Sequence, residues 1–213
     1  YTLDGDSEGE IQYENFNACK AEFEIRGFNV HPGEGKDTMI NASLVAIEIN
    51  NCLPSMETPR GTEDYEGFYH LISMQGEVGE AKLNYIVRDH DKNGFEERKK
   101  TLRLIEKNLN AKWGEGTVTL KITDQYLNMK EIVEEHMHLI DHAKKACEAV
   151  GVAPLILPIR GGTDGCQLSF KGLPCPNLGT GGHAFHGPYE HISVEGMEKS
   201  VELLLALIQE YTK

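Results

Sequence analysis

Positive charge is in short supply in this sequence. Its 213 residues include 21 Lys or Arg against 34 Asp or Glu, which gives a formal net charge of −13. General nucleic-acid binders neutralise phosphates with basic side chains, and anionic membranes attract basic surfaces. The acidic balance therefore argues against nucleic acid and against a membrane as partners. Small cationic or zwitterionic ligands stay open.

Cysteine is sparse and scattered. The five cysteines are odd in number and never spaced as C-x-x-C: Cys19, Cys52, Cys147, Cys166 and Cys175. This spacing excludes a disulfide framework and a structural zinc knuckle, and it favours reduced thiols in a cytoplasmic protein. No apolar run comes near the roughly 20 residues that a membrane helix needs. The first residues also lack the basic-then-apolar pattern of a signal peptide.

Two common catalytic motifs are missing. The sequence contains no G-x-S-x-G nucleophile turn and no phosphate-binding G-x-x-x-x-G-K-[ST].

The chain begins with Tyr-Thr-Leu-Asp at 1–4, a pattern typical of a strand that enters a turn. We therefore expect the chain to start inside a domain, as an excised fragment would.

From residue 11 to residue 126 the apolar pattern switches between the period of strands and the period of helices. Alternating Ala21, Phe23 and Ile25 are typical of a half-buried strand. The predicted elements are strand 11–30, helix 39–53, strands 67–77 and 81–91, helix 94–111 and strand 118–126. The order β-α-β-β-α-β predicts a ferredoxin-like module, with a four-stranded antiparallel sheet and two helices on one face.

The remainder reads as part of an α/β sheet. Its pattern predicts a helix at 133–150, a short strand at 155–159 and a final helix at 194–211. In the final helix, apolar residues at helical spacing predict a buried stripe made of Met197, Val201, Leu204, Leu205 and Ile208.

Glycine, proline and reactive side chains are densest between residues 158 and 191. Arg160, Thr163 and Asp164 flank a Gly-Gly pair, and one later loop holds His183, His186, Glu190 and His191. Glycine lets a backbone approach a ligand closely, so a binding surface built from loops fits this pattern. A set of tight turns with local hydrogen bonds fits it equally. His with Glu suits zinc, although the spacing is not that of H-E-x-x-H.

Four other polar residues each have two interpretations. Asp4 follows a short apolar strand, where a carboxylate serves either as a ligand or in an Asx-turn. His31 precedes Pro32, which disfavours helix, so His31 is either a solvated loop residue or a positioned side chain. Arg88 and Arg160 suit either the binding of a carboxylate or an ordinary ion pair.

Eight short stretches spread over the chain carry a further signal. They are Tyr-Thr-Leu-Asp-Gly-Asp at 1–6, Tyr-Glu-Asn-Phe-Asn-Ala at 13–18, Asn-Val-His-Pro-Gly at 29–33, Tyr-Glu-Gly-Phe-Tyr-His-Leu at 65–71, Arg-Asp at 88–89, Pro-Ile-Arg-Gly-Gly-Thr-Asp-Gly at 158–165, Gly-Leu-Pro-Cys-Pro-Asn at 172–177, and His-Gly at 186–187 leading to Val-Glu-Gly-Met-Glu-Lys at 194–199. In this order they resemble the tripeptide aminopeptidases, the peptidase T group of the dizinc exopeptidase family.

The resemblance implies a role for each matching residue. Asp4 and His186 correspond to ligands of one zinc ion each, in a site that holds two. His31 corresponds to a lid histidine that helps to polarise the scissile carbonyl. Substrate contacts are implied for Arg88, Arg160, Gly161, Gly162, Thr163 and Asp164. No role follows for His183, Glu190 or His191.

The resemblance also implies an architecture and a reaction. A ferredoxin-like lid, residues 14–127, would be inserted into an α/β zinc-exopeptidase catalytic domain of which residues 1–13 and 128–213 form part. Such lids are often dimerisation surfaces, so a homodimer is expected. The implied reaction is release of the N-terminal residue of tripeptides. The other zinc ligands and the glutamate base have no counterpart here, so we expect this chain alone to bind zinc weakly or not at all and to be inactive.

A second hypothesis comes from another class of protein. The chain could be a non-catalytic ferredoxin-like dimerisation or small-molecule-binding module with an α/β appendage. The joint presence of Asp4, His31, Arg160 and His186 favours the enzyme, because an interaction module has no need of all four. The native metal and the preferred substrate side chains stay open.

Overall fold

The computed structural model describes residues 1–212, and they form a mixed α/β fold, as predicted. The chain divides into two compact units. We call residues 17–125 the inserted unit, and residues 1–16 with 126–212 the split unit. No helix of the described chain has both the length and the apolar character to cross a bilayer.

The elements follow one another along the chain, and the longest connections are those before and after α1. They are β1 (Thr2–Gly5), β2 (Glu10–Gln12), β3 (Asn17–Arg26), α1 (Ala42–Asn51), β4 (Phe68–Gly76), β5 (Glu80–Asp89), α2 (Lys92–Trp113), β6 (Val118–Tyr126), α3 (Lys130–Val133), α4 (His138–Ala149), β7 (Leu155–Ile156), α5 (Asp164–Ser169), β8 (Asn177–Gly179), β9 (Gly182–His183), β10 (His191–Ile192) and α6 (Val194–Glu210), with 3₁₀ turns at Pro32–Glu34 and Glu134–His136.

The inserted unit has the predicted β-α-β-β-α-β order. Its sheet runs β4-β5-β3-β6, and β5 pairs antiparallel with both β3 and β4. This strand order is that of the ferredoxin-like split unit. In β3 the buried residues alternate with charged ones that face outward, so one face of the sheet is free to pack against α1 and α2.

The helices of the inserted unit begin at side chains that satisfy free backbone N–H groups. The Asn41 Oδ1 accepts a hydrogen bond from the Leu44 amide (3.2 Å), and the Asp91 Oδ2 accepts one from the Gly94 amide (2.6 Å). The core between helices and sheet holds Cys19, Ala21, Phe23, Ile25, Val45, Ala46, Ile49, Leu83, Tyr85, Val87, Phe95 and Leu102, among others.

The split unit contains a second sheet with the order β1-β8-β2-β7. β1 is parallel to β8, β2 is antiparallel to β8, and β7 is parallel to β2. The loops after β1 and β8 therefore leave one end of this sheet, and the loops after β2 and β7 leave the other end. Helices α4 and α6 pack on each other, and the core includes Ile11, Ile140, Ala143, Cys147, Leu178, Leu203 and Leu207.

Asn15 ties together the two points where the chain leaves and re-enters the split unit. Its side chain is fully buried. The Nδ2 group donates to the carbonyls of Phe16 (2.8 Å) and Leu127 (3.0 Å), and Oδ1 accepts from the Met129 amide (2.9 Å). The two ends of the insertion are thus neighbours in space.

The predicted buried stripe on the final helix is wrong. Val201, Leu205 and Ile208 are 57%, 57% and 62% exposed, and Met197 is 45% exposed, while Leu204 is only partly buried. The residues of α6 that enter the core are Leu203 and Leu207. Because α6 is apolar on more than one face, the spacing alone does not show which face is covered.

Two predicted elements are interrupted. The strand predicted at 11–30 is split into β2 and β3, and the intervening residues carry the chain from one sheet to the other. The helix predicted from residue 133 begins with α3 and a 3₁₀ turn before α4 starts at His138. Buried apolar residues lie on both sides of each interruption, which is why the pattern hides them. The predicted strand is also too long, because β3 ends at Arg26 and Phe28 is 55% exposed.

Candidate active site

Asp4 lies at the end of β1, beside the start of the loop that carries His186. Asp4 is exposed and sits where the register between β1 and β8 shifts. The next residue, Gly5, accepts a hydrogen bond from the Thr180 hydroxyl at 2.9 Å, and the Asp6 carbonyl accepts one from the Gly181 amide at 2.8 Å. The loop after β8 is thereby fastened to the end of β1.

The histidine loop is a short hairpin with a strained tip. His183 in β9 pairs with His191 in β10, and their ring centroids are 5.4 Å apart. At the tip, Ala184 and His186 have φ of +57° and +60°, a left-handed conformation that is uncommon outside glycine. The Glu190 Oε2 accepts a hydrogen bond from the His186 amide (2.8 Å). Glu190, which the sequence left without a role, therefore holds the turn that presents His186.

The described residues alone do not fit a zinc site. Zinc sites in proteins use three or four protein ligands. The Asp4 carboxylate and the His186 imidazole have suitable donor atoms, but within residues 1–212 no three His, Cys, Asp or Glu side chains are arranged to hold a metal ion.

Arg160 and the following glycines lie at the other end of the sheet. The Ile159 backbone bridges to Asn15, and the Gly161 carbonyl accepts a hydrogen bond from the Phe16 amide at 3.2 Å. The Arg160 guanidinium stacks over the Phe16 ring, 5.2 Å from its centroid. This contact holds the arginine at the point where the loop after β7 begins.

Glycine is required at two positions of this segment because other groups come very close. A Cβ on Gly162 would lie 2.6 Å from the Tyr126 ring, and a Cβ on Gly165 would lie 2.4 Å from the Cys175 carbonyl oxygen. Thr163 is the N-cap residue of α5, but its side chain makes no capping hydrogen bond, and its Oγ1 is buried without a partner among the described residues. Asp164 is the exposed first residue of α5.

His31 and Arg88 belong to the inserted unit. His31 is exposed, and its Nδ1 accepts a hydrogen bond from the Gly33 amide (3.2 Å), which leaves Nε2 as the outward nitrogen. Arg88 is half-buried in β5, with its guanidinium 5.9 Å from the centre of the Phe68 ring. The candidate residues thus fall into three places: the Asp4–His186 end of one sheet, the Arg160–Asp164 end of that sheet, and the inserted unit.

A buried polar chain between β8 and β2 was not predicted. The Asn177 Nδ2 donates to the Gln12 Oε1 (2.6 Å), and the Gln12 Nε2 donates to the Glu10 Oε2 (3.0 Å). The Glu10 Oε2 also accepts from the Asp6 amide (3.2 Å), and burial raises the pKa of the Glu10 carboxyl. The only sequence signal is two polar residues that alternate within a short, otherwise apolar strand.

The comparisons with known proteins point to one family. Residues 13–117 match the peptidase dimerisation domain. Over all 213 residues the chain is 51% identical to peptidase T of Caldanaerobacter subterraneus subsp. tengcongensis and 54% identical to peptidase T of Clostridium perfringens. Over its whole length the chain is therefore similar to peptidase T proteins. It spans about half the length of these peptidase T relatives, 52% in each case.

Solved structures agree with the fold. The chain superposes on the aminopeptidase PepT from Bacillus cereus with a TM-score of 0.82 and 23% identity, covering 99% of this chain and 56% of that one. It also superposes on a dinuclear metal-binding peptidase from Bacillus subtilis with a TM-score of 0.65 and 16% identity, covering 97% and 55%. At these identities the likeness concerns the fold alone.

Proposed function

We propose that this chain forms the lid and part of the catalytic domain of a zinc-dependent aminopeptidase that releases the N-terminal residue of tripeptides. The observation that carries the proposal is the identity of 51–54% with peptidase T over the whole chain. It is supported by the placement of Asp4 and His186, the two proposed zinc ligands, at the same end of one sheet. Ligand sites of α/β sheets typically lie at the carboxyl ends of strands.

In this proposal Asp4 and His186 each contribute one ligand to a site of two zinc ions. The remaining ligands would come from the part of a peptidase T protein that the match does not reach. A bound zinc ion lowers the pKa of its water to about 7 and so supplies hydroxide at neutral pH. The chain's own contribution is to present a carboxylate at the end of β1 and an imidazole on a turn held by Glu190.

Other residues are proposed to orient the substrate. Because the Gly33 amide donates to Nδ1, the His31 Nε2 is free to donate to the scissile carbonyl. Arg160, stacked on Phe16, suits a substrate carboxylate, and Arg88 is a weaker candidate for the same task. Gly161, Gly162, Thr163 and Asp164 would shape the surface beside Arg160, at the end of the sheet opposite to Asp4. The domain boundaries near residues 14 and 127 and a cytoplasmic location belong to the same proposal.

A chimera tests this function. The chain replaces the matching half of Clostridium perfringens peptidase T, to which it is 54% identical, and the product is assayed for release of N-terminal alanine from Ala-Ala-Ala with added zinc. We expect the chimera to be active and its His186→Ala variant to lose most of its kcat/KM. His183→Ala, which removes the neighbouring loop histidine, should retain activity.

The 213-residue chain assayed by itself should show no metal-dependent turnover, because its donor set is incomplete. Full activity of the His186→Ala chimera would show that His186 is not a zinc ligand. A well-folded but inactive chimera would contradict the aminopeptidase proposal and would favour the binding-module hypothesis.

Dimerisation is proposed to occur through the inserted unit. This unit contains most of the segment that matches the peptidase dimerisation domain. Its α1 exposes Leu44 (61%) and Ile47 (46%), and α1 packs against β4, an edge strand on which Ile72 is 51% exposed. An open strand edge beside exposed apolar side chains is suited to pairing with a second copy.

A further inference from the structure

Three histidines with neighbouring rings form a row in the split unit, and none of them has a proposed role in the active site. His136 lies in the 3₁₀ turn before α4, His138 begins α4, and His142 follows one helical turn later. The ring centroids of His136 and His138 are 6.0 Å apart, and those of His138 and His142 are also 6.0 Å apart.

His138 and His142 have the spacing of a helical metal chelate. Residues four apart on a helix lie on the same face, and a pair of histidines at this spacing is a known arrangement for binding zinc. Two imidazoles on one tetrahedral ion, each with its nitrogen about 2.1 Å from the metal, have ring centroids roughly 5–6 Å apart. The observed 6.0 Å needs only a small adjustment of the exposed His138 ring.

The surroundings of His142 fix which of its nitrogens is available. Its Nδ1 is buried and has no hydrogen-bond partner among the described residues, so Nε2 is the nitrogen that can reach a ligand. The ring stands perpendicular to that of Tyr211, with centroids 4.5 Å apart. Tyr211 is in turn held by a hydrogen bond of 2.8 Å between its hydroxyl and that of Tyr1. The imidazole is therefore oriented by packing before any ligand arrives.

We propose that His138 and His142 bind a borderline divalent cation such as Zn²⁺, Ni²⁺ or Cu²⁺, with water completing the coordination. Imidazole suits these ions, whereas Mg²⁺ and Ca²⁺ require oxygen ligands. Metal-binding histidines usually donate their second ring N–H to an acceptor, and the His142 Nδ1 has none within residues 1–212. The site is therefore an exchangeable one, weaker than a zinc site with three or four protein ligands, and it does not depend on the proposed peptidase activity.

The test is calorimetric titration of the 213-residue chain with Ni²⁺ and Zn²⁺, with Mg²⁺ as the control ion. We expect one equivalent of Ni²⁺ to bind per chain, reversibly, and Mg²⁺ not to bind. Changes outside the ligand shell cost roughly 10- to 100-fold in affinity, so loss of one of two direct ligands should cost at least about tenfold. His138→Ala, on the surface, and His142→Gln, which keeps the volume beside Tyr211, should each show that loss.

Two control variants separate this site from the others. His186→Ala removes a proposed zinc ligand of the active site, and the double change His183→Ala with His191→Ala removes the hairpin pair. Both should keep the Ni²⁺ affinity. Broadening of amide NMR signals by Cu²⁺ should be confined to residues around 136–142 and 211. Undiminished Ni²⁺ binding in the His138→Ala variant, or loss of binding in either control, would overturn the proposal.

Discussion

Close backbone contacts at single glycines determine how the 158–165 segment fits against β1 and β8. At Gly165 a Cβ would lie 2.4 Å from the Cys175 carbonyl oxygen and 2.8 Å from the Thr2 hydroxyl. Real Cβ atoms do not approach so closely, so the segment can adopt this position only with glycine there. Gly161, four residues earlier, has only an ordinary contact of 3.8 Å with the Ile159 side chain.

Gly165→Ala should therefore destabilise the split unit by about 1–3 kcal/mol, the usual cost of overpacking a tight interior. Gly161→Ala should be neutral or should stabilise by about 0.4–1 kcal/mol, because it restricts the unfolded chain without a clash. Urea unfolding followed by circular dichroism at 222 nm measures both. An equal loss in the two variants would contradict the steric argument.

Stability should also depend on the ionisation of Glu10. Burial raises the pKa of this carboxyl in the folded state above its unfolded value of about 4.3. Protonated Glu10 therefore contributes to the free energy of unfolding below the unfolded-state pKa. This contribution is lost as the pH rises through the folded-state pKa. The Glu10→Gln variant should gain stability relative to the native chain as the pH is raised from 4 towards neutrality.

The control for Glu10 is an exposed carboxylate with the opposite shift. A hydrogen bond from Lys82 lowers the pKa of Glu24, so its contribution is present above the unfolded pKa and lost as the pH falls. Glu24→Gln should lose stability relative to the native chain over the same rise in pH. Urea unfolding at several pH values distinguishes the two signs, and a parallel response of both variants would contradict the assignment.

Sequence reasoning at this scale identified side chains with chemistry but not the atoms around them. It selected Asp4, His31, Arg160 and His186 from motifs, and their roles stay proposals. It did not find the chain from Asn177 through Gln12 to Glu10, because the three residues are brought together by pairing of β2 with β8.

Among the elements, those with strong periodicity were predicted best. Strand β6 and the order of the inserted unit follow the sequence closely, since alternation in β3 and β5 reflects one covered face. The buried face of helix α6 was predicted wrongly. Its apolar spacing was read as a buried stripe, but Val201, Leu205 and Ile208 are exposed, because hydrophobicity does not specify whether a partner is present.

Exposed apolar residues on α1 and on α2 are expected to respond differently to a charged substitution. Ile47 on α1 is part of the proposed dimer surface, whereas Leu104 on α2 is equally apolar and 55% exposed but lies outside it. A charge buried at an interface is costly. Ile47→Glu should convert the dimer to monomer in sedimentation equilibrium, and Leu104→Glu should leave it unchanged.

Further outcomes of this measurement are also informative. Dissociation by Val201→Glu on α6, with Ile47→Glu still dimeric, would move the interface to the split unit. A native chain that is monomeric at concentrations where the variants are compared would contradict the dimer proposal itself.

For the whole molecule, the division into two units has a thermodynamic consequence. Each unit has its own hydrophobic core, and the inserted unit is continuous in sequence. We expect residues 17–125, expressed alone, to fold and to unfold cooperatively with the midpoint that Trp113 fluorescence reports in the full chain. A disordered amide NMR spectrum of this fragment would show that its core depends on the rest of the chain.

The hydrogen bonds of buried Asn15 suggest that the inserted unit can be exchanged by protein engineering. By joining the Leu127 and Met129 backbones to the segment around Phe16, it keeps the entry and exit of the insertion side by side. A module attached at two adjacent points behaves as a cassette. We expect that it can be exchanged for the corresponding domain of a peptidase T relative, or replaced by a short loop, with little strain on the sheet that carries Asp4.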